Sequence, residues 1–70
     1  MMPTIGSTVK LLFASGEHVF LTLAGVTSFS NGALGFTGHY IHGGKKHTGA
    51  VEMWRIKWNG KFFEADMSAG

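Results

Sequence analysis

Glycine spacing is the feature that most constrains the fold of this chain. Eleven of its 70 residues are glycine, and β-branched and aromatic residues fill the segments between them, which is typical of strands joined by turns. No segment of about 11 residues carries an apolar stripe at i, i+3, i+4 and i+7 without an interrupting glycine. The sequence therefore predicts an all-β fold with minimal helix.

The length predicts one domain, residues 1–70, because a domain needs at least about 50 residues to enclose a core. The chain has no cysteine, which excludes disulfides and is compatible with the reducing cytoplasm. No basic segment precedes the first apolar run, and no apolar stretch approaches about 18 residues. We therefore expect a soluble, cytoplasmic protein without a signal peptide or a membrane helix.

The clearest local signal is Asn59-Gly60, a dipeptide that favours a type I′ turn between two strands. With a two-residue loop, the predicted cross-strand pairs are Trp58 with Lys61, Ile56 with Phe63, Trp54 with Ala65, Lys57 with Phe62 and Arg55 with Glu64. This register predicts that both tryptophans lie in the core. It also leaves Phe62 exposed beside Lys57, as a candidate contact residue.

Two alternating segments near the N-terminus predict a second hairpin. Its inner face would consist of Val9, Leu11, Phe13, Val19, Leu21 and Leu23. The outer face would then carry Leu12 and Phe20, which are too apolar for open water on a chain of this size. We therefore expect these two side chains to lie in a subunit interface of a homo-oligomer.

The middle of the chain completes the predicted sheet. Asn31-Gly32 separates two further strands, and the glycines at 25, 35 and 38 predict sharp bends or bulges. Residues 42–49 are rich in glycine, lysine and histidine, which predicts a mobile basic loop. The expected result is a small, five-stranded, strongly bent antiparallel barrel of the SH3-like kind.

The segment from Val9 to Leu34 resembles, without a gap, the first sequence motif of Sm-like proteins, which are ring-forming, RNA-binding barrels. The residues at matching places are Val9, Leu11, Phe13, Gly16, Val19, Leu23, Gly25, Val26 and Asn31. The sequence departs from the motif at Leu21, Thr27 and Ser30. The resemblance implies a homo-oligomeric ring with single-stranded RNA as its partner.

The resemblance also implies a binding site at the inner rim of such a ring. Phe29 would stack on a base, Asn31 would hydrogen-bond a base edge, and Asn59 with Gly60 would form the other wall. The remaining candidates for nucleic-acid binding are Lys57, Phe62, Lys45 and Lys46. Alternative interpretations are a plug at the barrel mouth for Phe29, turn roles for both asparagines, and a solvated loop for the two lysines.

No other chemistry is indicated by the sequence. The four histidines lack the spacing of a metal site, and no nucleophile, base and orienting residue form a catalytic set. We therefore expect a protein without cofactors that is not an enzyme. A structural or adaptor subunit, of phage or mobile-element origin and without nucleic-acid binding, is the alternative function. An inhibitor that docks on a host enzyme is a third.

Overall fold

Six strands and one 3₁₀ turn form the regular structure of this chain, in a computed structural model that describes residues 1–68. The elements are β1 Thr8–Leu12, β2 His18–Ser28, β3 Leu34–His42, β4 Lys45–Glu52, the 3₁₀ turn Met53–Arg55, β5 Ile56–Trp58 and β6 Phe63–Asp66. They form a single sheet in the order β4-β3-β2-β1-β6-β5. The predicted all-β class is confirmed.

The predicted strand number and strand directions are wrong. The single strand expected before Asn59-Gly60 is interrupted by the 3₁₀ turn, which separates β4 from β5. β4 pairs with β3, whereas β5 pairs with β6 at the other end of the sheet. The turn therefore carries the chain from one end of the sheet to the other. β1 and β6 run parallel, so the sheet is mixed.

The sheet curls around its core. Eight side chains on its inner face are at most 9% exposed, although the described chain has no second layer to cover them. A flat sheet of one layer would leave that face open to solvent. These residues form one buried cluster: Val9, Leu11, Leu21, Leu23, Phe36, Val51, Phe63 and Ala65. Among residues 1–68 no ladder joins β4 to β5, so the curled sheet has two ends where the prediction had a closed barrel.

The β2–β3 ladder contains the bulge that a glycine at 25 predicted. Its register shifts between Leu23 and Gly25, so Ala24 is the additional residue on β2. A bulge increases the local twist and bends the strand. The bend helps an 11-residue strand to follow the curled sheet.

The predicted inner face is confirmed for the four residues at 9, 11, 21 and 23, all of them at most 3% exposed. Val19 packs at the edge of the core. Phe13 was expected inside and is instead 40% exposed, because β1 ends at Leu12 and the next residue already belongs to the turn. The backbone N–H of Phe13 donates to the carbonyl of Glu17 at 3.0 Å.

The last hairpin forms as predicted, but its register is shifted by two residues. The observed pairs are Ile56 with Ala65, Lys57 with Glu64 and Trp58 with Phe63. The loop has four residues because the Asn59 side chain bonds to two backbone N–H groups inside it. A shift of two preserves which face each side chain occupies. The predicted pairs of Arg55 with Glu64 and of Lys57 with Phe62 are therefore wrong.

The two tryptophans are not in the core. Trp54 is 53% exposed because it lies in the 3₁₀ turn, where strand alternation does not apply. Trp58 is 41% exposed at the last rung of its hairpin, where its ring meets the Phe63 ring edge to face at 5.0 Å.

Candidate functional site: a notch between two hairpin arms

The β2–β3 ladder, at the centre of the sheet, ends before the two strands themselves end. The rungs between β2 and β3 end at Thr22 with His39. The β1–β2 rungs continue to Leu12 with His18, and the β3–β4 rungs continue to His42 with Lys45. Two hairpin arms therefore diverge, and no ladder in the described part of the chain pairs residues 18–21 with 40–42. We call the space between residues 13–20 and 40–47 the notch.

The notch opens on both faces of the sheet. On the outer face it forms a groove of about 300 Å³. The lining residues there are Phe20, Thr22, His39, Tyr40, Ile41 and Lys46. On the inner face, beyond the core, it forms a groove of about 340 Å³. The lining residues there are Phe13, Ser15, Glu17, Val19, Tyr40, His42 and His47. Tyr40 lines both grooves and so connects the two sides.

The second arm is a regular hairpin, which corrects the predicted mobile loop. Gly43 and Gly44 form its tip with φ angles of 60° and 74°, values that suit the two central residues of a type I′ turn. Lys45 and Lys46 accordingly belong to β4. The Gly-Gly dipeptide is itself a hairpin signal, but the polar residues after it masked that signal.

Ring stacking orders the inner face of this arm. Tyr40 and His47 are cross-strand partners, and their rings stack at 5.3 Å with an interplanar angle of 19°. His47 Nε2 lies 3.2 Å from the carbonyl oxygen of His42 and donates to it when it carries the proton. The His42 ring meets the His47 ring edge to face at 6.2 Å. The arm therefore presents a fixed group of three rings to the notch.

The first arm ends in a turn at residues 14–17, which joins the two strands of the predicted N-terminal hairpin. Gly16 adopts a φ of 88°, and its N–H donates to the carbonyl of Phe13 at 3.0 Å. The Ser15 hydroxyl oxygen accepts a hydrogen bond from the backbone N–H of Glu17 at 3.2 Å. These bonds hold the backbone beneath the Glu17 carboxylate, which lines the inner groove.

Basic and apolar side chains alternate on the outer face next to the notch. Phe20, 54% exposed, lies opposite Lys10 in the β1–β2 ladder. The Lys10 ammonium lies 5.7 Å from the centre of the Phe62 ring, within range of a cation–π contact. Glu64 lies between Lys10 of β1 and Lys57 of β5. With Lys46 at the notch, three lysines share this face with two carboxylates, those of Glu64 and of Asp66, which pairs with Leu12.

The predicted site residues Phe29 and Asn31 lie at the opposite end of β3. The nine residues of β3 span about 30 Å, which separates this loop from Lys45 and Lys46. The Asn31 oxygen accepts from the Ala33 N–H at 2.9 Å, and its amide nitrogen donates to Glu52 Oε2 at 3.1 Å. The structure therefore does not bring the predicted nucleic-acid-binding residues into one site.

Asn59 and Gly60 have turn roles in the last hairpin. Asn59 Oδ1 accepts from the N–H groups of Lys61 and Phe62, both at 2.9 Å, and Gly60 has a φ of 99°. Phe29 packs onto the backbone at Gly35, where a Cβ would lie 2.6 Å from its ring. These contacts account for the three residues without a ligand.

Glu52 is a structural hub that sequence reasoning missed. Its carboxylate accepts hydrogen bonds from Trp54 Nε1 at 2.9 Å, Asn31 Nδ2 at 3.1 Å and Arg55 Nε at 3.3 Å. The Trp54 and Asn31 bonds, with a smaller contribution from Arg55, lower the pKa of Glu52 below its ordinary value of 4.5, while desolvation opposes them. The signal in the sequence was the spacing of three between Glu52 and Arg55.

Trp54 is held in place by this hub. The Arg55 guanidinium lies 4.4 Å from the centre of the indole ring. Beside the ring runs a groove of about 410 Å³. Its lining residues are Ala33, Leu34, Met53 and Trp54. Leu34 is 58% exposed, so this end of the molecule presents a rigid apolar surface.

The comparisons with known proteins add no relative: no family model, curated protein or solved structure matches this chain significantly. Within residues 1–68, no group of three or more His, Cys, Asp or Glu side chains is placed to hold a metal ion. The same part of the chain contains no helix with the length and hydropathy needed to cross a membrane.

Proposed function

We propose that this protein is a non-enzymatic binding protein whose notch and adjoining outer face bind single-stranded nucleic acid. The observation that carries the proposal is the alternation of lysines with aromatic side chains across that face. Phe20 lies between Lys46 on one side and Lys10 on the other, and Lys10 in turn contacts Phe62. Sites that bind single strands combine a basic groove with rings on which bases stack.

Base stacking, more than net charge, would supply the binding energy of such a site. Each base stacked on an aromatic ring contributes about 1–3 kcal/mol, with little dependence on sequence. The net charge of +2 gives only a mild general attraction to phosphates. Binding would therefore rest on the local arrangement of Lys10, Lys46 and the rings of the notch. The unpaired strand edges that face the notch add backbone donors and acceptors for base edges.

The proposed surface changes the set of residues expected from the sequence. Lys45, Lys46, Lys57 and Phe62 remain in it, because they lie at the notch or on the outer face. The residues added from the geometry are Lys10, Phe20, Tyr40, His42 and His47. The loop residues Phe29, Asn31, Asn59 and Gly60 are left out, since turn and packing contacts already occupy them.

We also retain the Sm-like barrel and ring as part of the proposal. The gap-free motif from Val9 to Leu34, the bulge in β2 and the curled sheet support a barrel-like architecture. Leu12 is half-buried and remains available to a neighbouring subunit, whereas Phe20, which was expected in the subunit interface, belongs to the proposed nucleic-acid surface. In a ring, the notches of several subunits would act together on one strand, which raises affinity through effective concentration.

A catalytic role for the notch is disfavoured by its hydrogen bonds. Ser15, Glu17 and His47 are residue types of a nucleophilic triad, and all three line the inner groove. The Ser15 hydroxyl, however, accepts from a backbone N–H, and His47 Nε2 faces a backbone carbonyl. A triad requires the base to contact the nucleophile and an orienting group. We therefore propose that the notch binds its ligand without catalysing a reaction.

The test is fluorescence anisotropy of labelled oligo-U, oligo-A and oligo-C with the purified protein in low salt. We expect binding that weakens with salt, and Lys46→Ala should lower affinity several-fold and reduce the salt slope by about 1. Lys61→Ala is the matched control, because it removes the same charge from the β5–β6 loop. Absence of binding to all three oligonucleotides at about 100 µM protein would overturn the proposal.

A second candidate function, assembly without nucleic acid, is favoured by the groove beside Trp54. Eleven large apolar side chains are at least 40% exposed, which is many for a monomer of 70 residues. An exposed tryptophan held by a hydrogen bond and a stacked arginine is a suitable anchor for a second copy of this chain. Light scattering tests this: Trp54→Ala should dissociate an oligomer, whereas a wild-type monomer at millimolar concentration contradicts assembly.

A further inference from the structure

We propose that the inner groove of the notch selects a base that carries an exocyclic amino group, and that Glu17 is the residue that selects it. This inference rests on the proposed binding of single-stranded nucleic acid. The ligand class is cytosine, adenine or guanine, as opposed to uracil or thymine. The residues that carry it are Glu17 on the first arm and the ring group of the second arm.

The proposed selection depends first on the position of the Glu17 carboxylate. Of the described side chains that line either groove of the notch, Glu17 alone carries a carboxylate. Its backbone is fixed on both sides, by the Ser15 hydroxyl at its N–H and by the Phe13 N–H at its carbonyl. Because the turn is fixed, the carboxylate extends into the groove from a backbone of defined position.

Hydrogen-bond chemistry allows a carboxylate to distinguish between bases. An ionised carboxylate only accepts hydrogen bonds. Cytosine offers it the N4 amino donor, whereas uracil places the O4 acceptor at the same position. A uracil there would bring two acceptors together without a proton between them. Glu17 therefore distinguishes two pyrimidines that have the same ring size.

Stacked rings form the opposite wall of the inner groove. Tyr40 and His47 are already stacked on each other, so they present a flat ring surface without further ordering. Phe13, 40% exposed, lines the same groove from the first arm. A base between these walls stacks on rings while its edge reaches Glu17. Lys45 and Lys46, at the tip of the second arm, are placed to neutralise the phosphates of its neighbours.

A general binder of phosphates would gain nothing from a carboxylate in its groove. Glu17 repels the backbone of any nucleic acid, so its presence in the notch lowers non-specific affinity. The hydrogen bond that it accepts from an amino group offsets this cost only for bases that have one. This is the usual way in which a site gains specificity, through an element that disfavours the wrong ligand.

The experiment compares the affinity of labelled oligo-C and oligo-U at pH 7.5, for the unmodified protein and for two variants. We expect the unmodified protein to bind oligo-C at least about fivefold more tightly than oligo-U. Glu17→Gln should bring the ratio close to one, because its amide donates to uracil O4 as well as accepting from cytosine. Glu64→Gln is the matched control: it removes the same charge from the outer face, so it should raise the affinity for both oligonucleotides equally and keep the ratio.

The outcomes separate this inference from the proposed function. Equal affinities for the two oligonucleotides, or a ratio that survives Glu17→Gln, overturn base selection. If Lys46→Ala still weakens binding in those cases, nucleic-acid binding itself stands. Absence of binding to both oligonucleotides overturns the proposed function and the selection together. A ratio lost in Glu64→Gln as well as in Glu17→Gln would show a general effect of charge and also overturn the inference.

Discussion

The two ends of the β3–β4 hairpin are held by different means. Where β3 begins, Glu52 accepts side-chain hydrogen bonds from the β2–β3 loop and from the 3₁₀ turn, which ties three segments together. We call this the hub end. At the notch, the described strands diverge without a ladder, and each arm is held by its own rungs. Structural hydrogen bonds occupy the Glu52 carboxylate at the hub end, whereas Lys46 and Glu17 line open grooves at the notch, which is why we place the proposed function there.

The largest expected effect is a loss of stability that tests how tightly the backbone is packed at the hub end. A Cβ at Gly35 would meet the Val51 carbonyl oxygen and would lie 2.9 Å from the Glu52 Cα, so the backbone itself would have to move. Gly35→Ala should therefore lower the free energy of unfolding by about 3 kcal/mol. Urea unfolding followed by tryptophan fluorescence measures this change.

The matched variant at the notch side is Gly49→Ala. The Cβ of an alanine at 49 would meet only side-chain atoms, Tyr40 Cε1 at 3.1 Å and Leu21 Cδ1 at 3.3 Å. Side-chain atoms at these distances need to give way by only a few tenths of an ångström, so this substitution should change stability by less than about 1 kcal/mol. Equal losses for the two variants would contradict the contrast between a tightly packed end and a more permissive one.

The next largest expected effect is a change in how stability depends on pH, and it concerns Glu52. Its pKa is lowered in the folded protein, chiefly by the Trp54 bond, so the unfolded chain binds the proton more readily. Stability from this group is therefore complete above about pH 5 and is lost as the pH falls through the folded pKa. Glu52→Gln should unfold at lower urea than the unmodified protein at pH 7, and the difference should shrink toward pH 3.

Asn31→Ala serves as the control for this measurement, because it removes one of the donors and keeps the carboxylate. The stability of Asn31→Ala should depend on pH less strongly than that of the unmodified protein and more strongly than that of Glu52→Gln. The urea midpoints at pH 7, 5, 4 and 3 give the comparison. A constant difference between Glu52→Gln and the unmodified protein at all four pH values would show that Glu52 is not the hub.

The residues of the core and the turns could largely be predicted from the sequence. Alternation placed Leu21 and Leu23 inside, and each Asn-Gly dipeptide marked a real turn. Alternation failed at Phe13 and Trp54 because it holds only while a strand continues, and both residues lie just beyond a strand end. The register of the last hairpin was missed because a side-chain cap, at Asn59, lengthened its loop.

The candidate site was harder to predict than the core. Lys45 and Lys46 were identified as contact residues, but the hairpin that positions them was interpreted as a loop. The notch depends on where the β2–β3 ladder stops, at Thr22 and His39. Strand length alone does not show this, because β2 and β3 both continue past that point. Pairing between strands is a tertiary property, so local patterns do not reveal a gap in it.

A smaller effect is expected for His47→Ala, which alters the ring group of the notch. The variant loses the stack on Tyr40 and the contact with the His42 carbonyl, both at an exposed hairpin. We expect a loss of about 0.5–1 kcal/mol in unfolding free energy. The affinity for oligo-C should fall by more than the stability loss alone explains, because a stacking surface is removed.

Thr48→Ala is the control for the histidine, since Thr48 is the next residue on β4 and is exposed on the other face. It should leave both stability and affinity close to those of the unmodified protein. Should His47→Ala destabilise the protein as much as Gly35→Ala, the ring group would be part of the fold and not a separate surface. The comparison of the two ends would then lose its basis.

The smallest expected effect is a gain in stability at the tip of the second arm. Gly43 has a φ of 60°, a conformation that asparagine tolerates better than most residues, and Gly43→Asn creates the Asn-Gly dipeptide that type I′ turns favour. The substitution restricts the unfolded chain and should add about 0.5 kcal/mol to the unfolding free energy. Gly44→Asn is the control, because it gives the less favourable order Gly-Asn and should add less.

A stiffer tip also places Lys45 and the ring group with less loss of freedom on binding, so oligo-C affinity should rise slightly in Gly43→Asn. A fall in affinity would instead indicate that the arm has to move to admit its ligand.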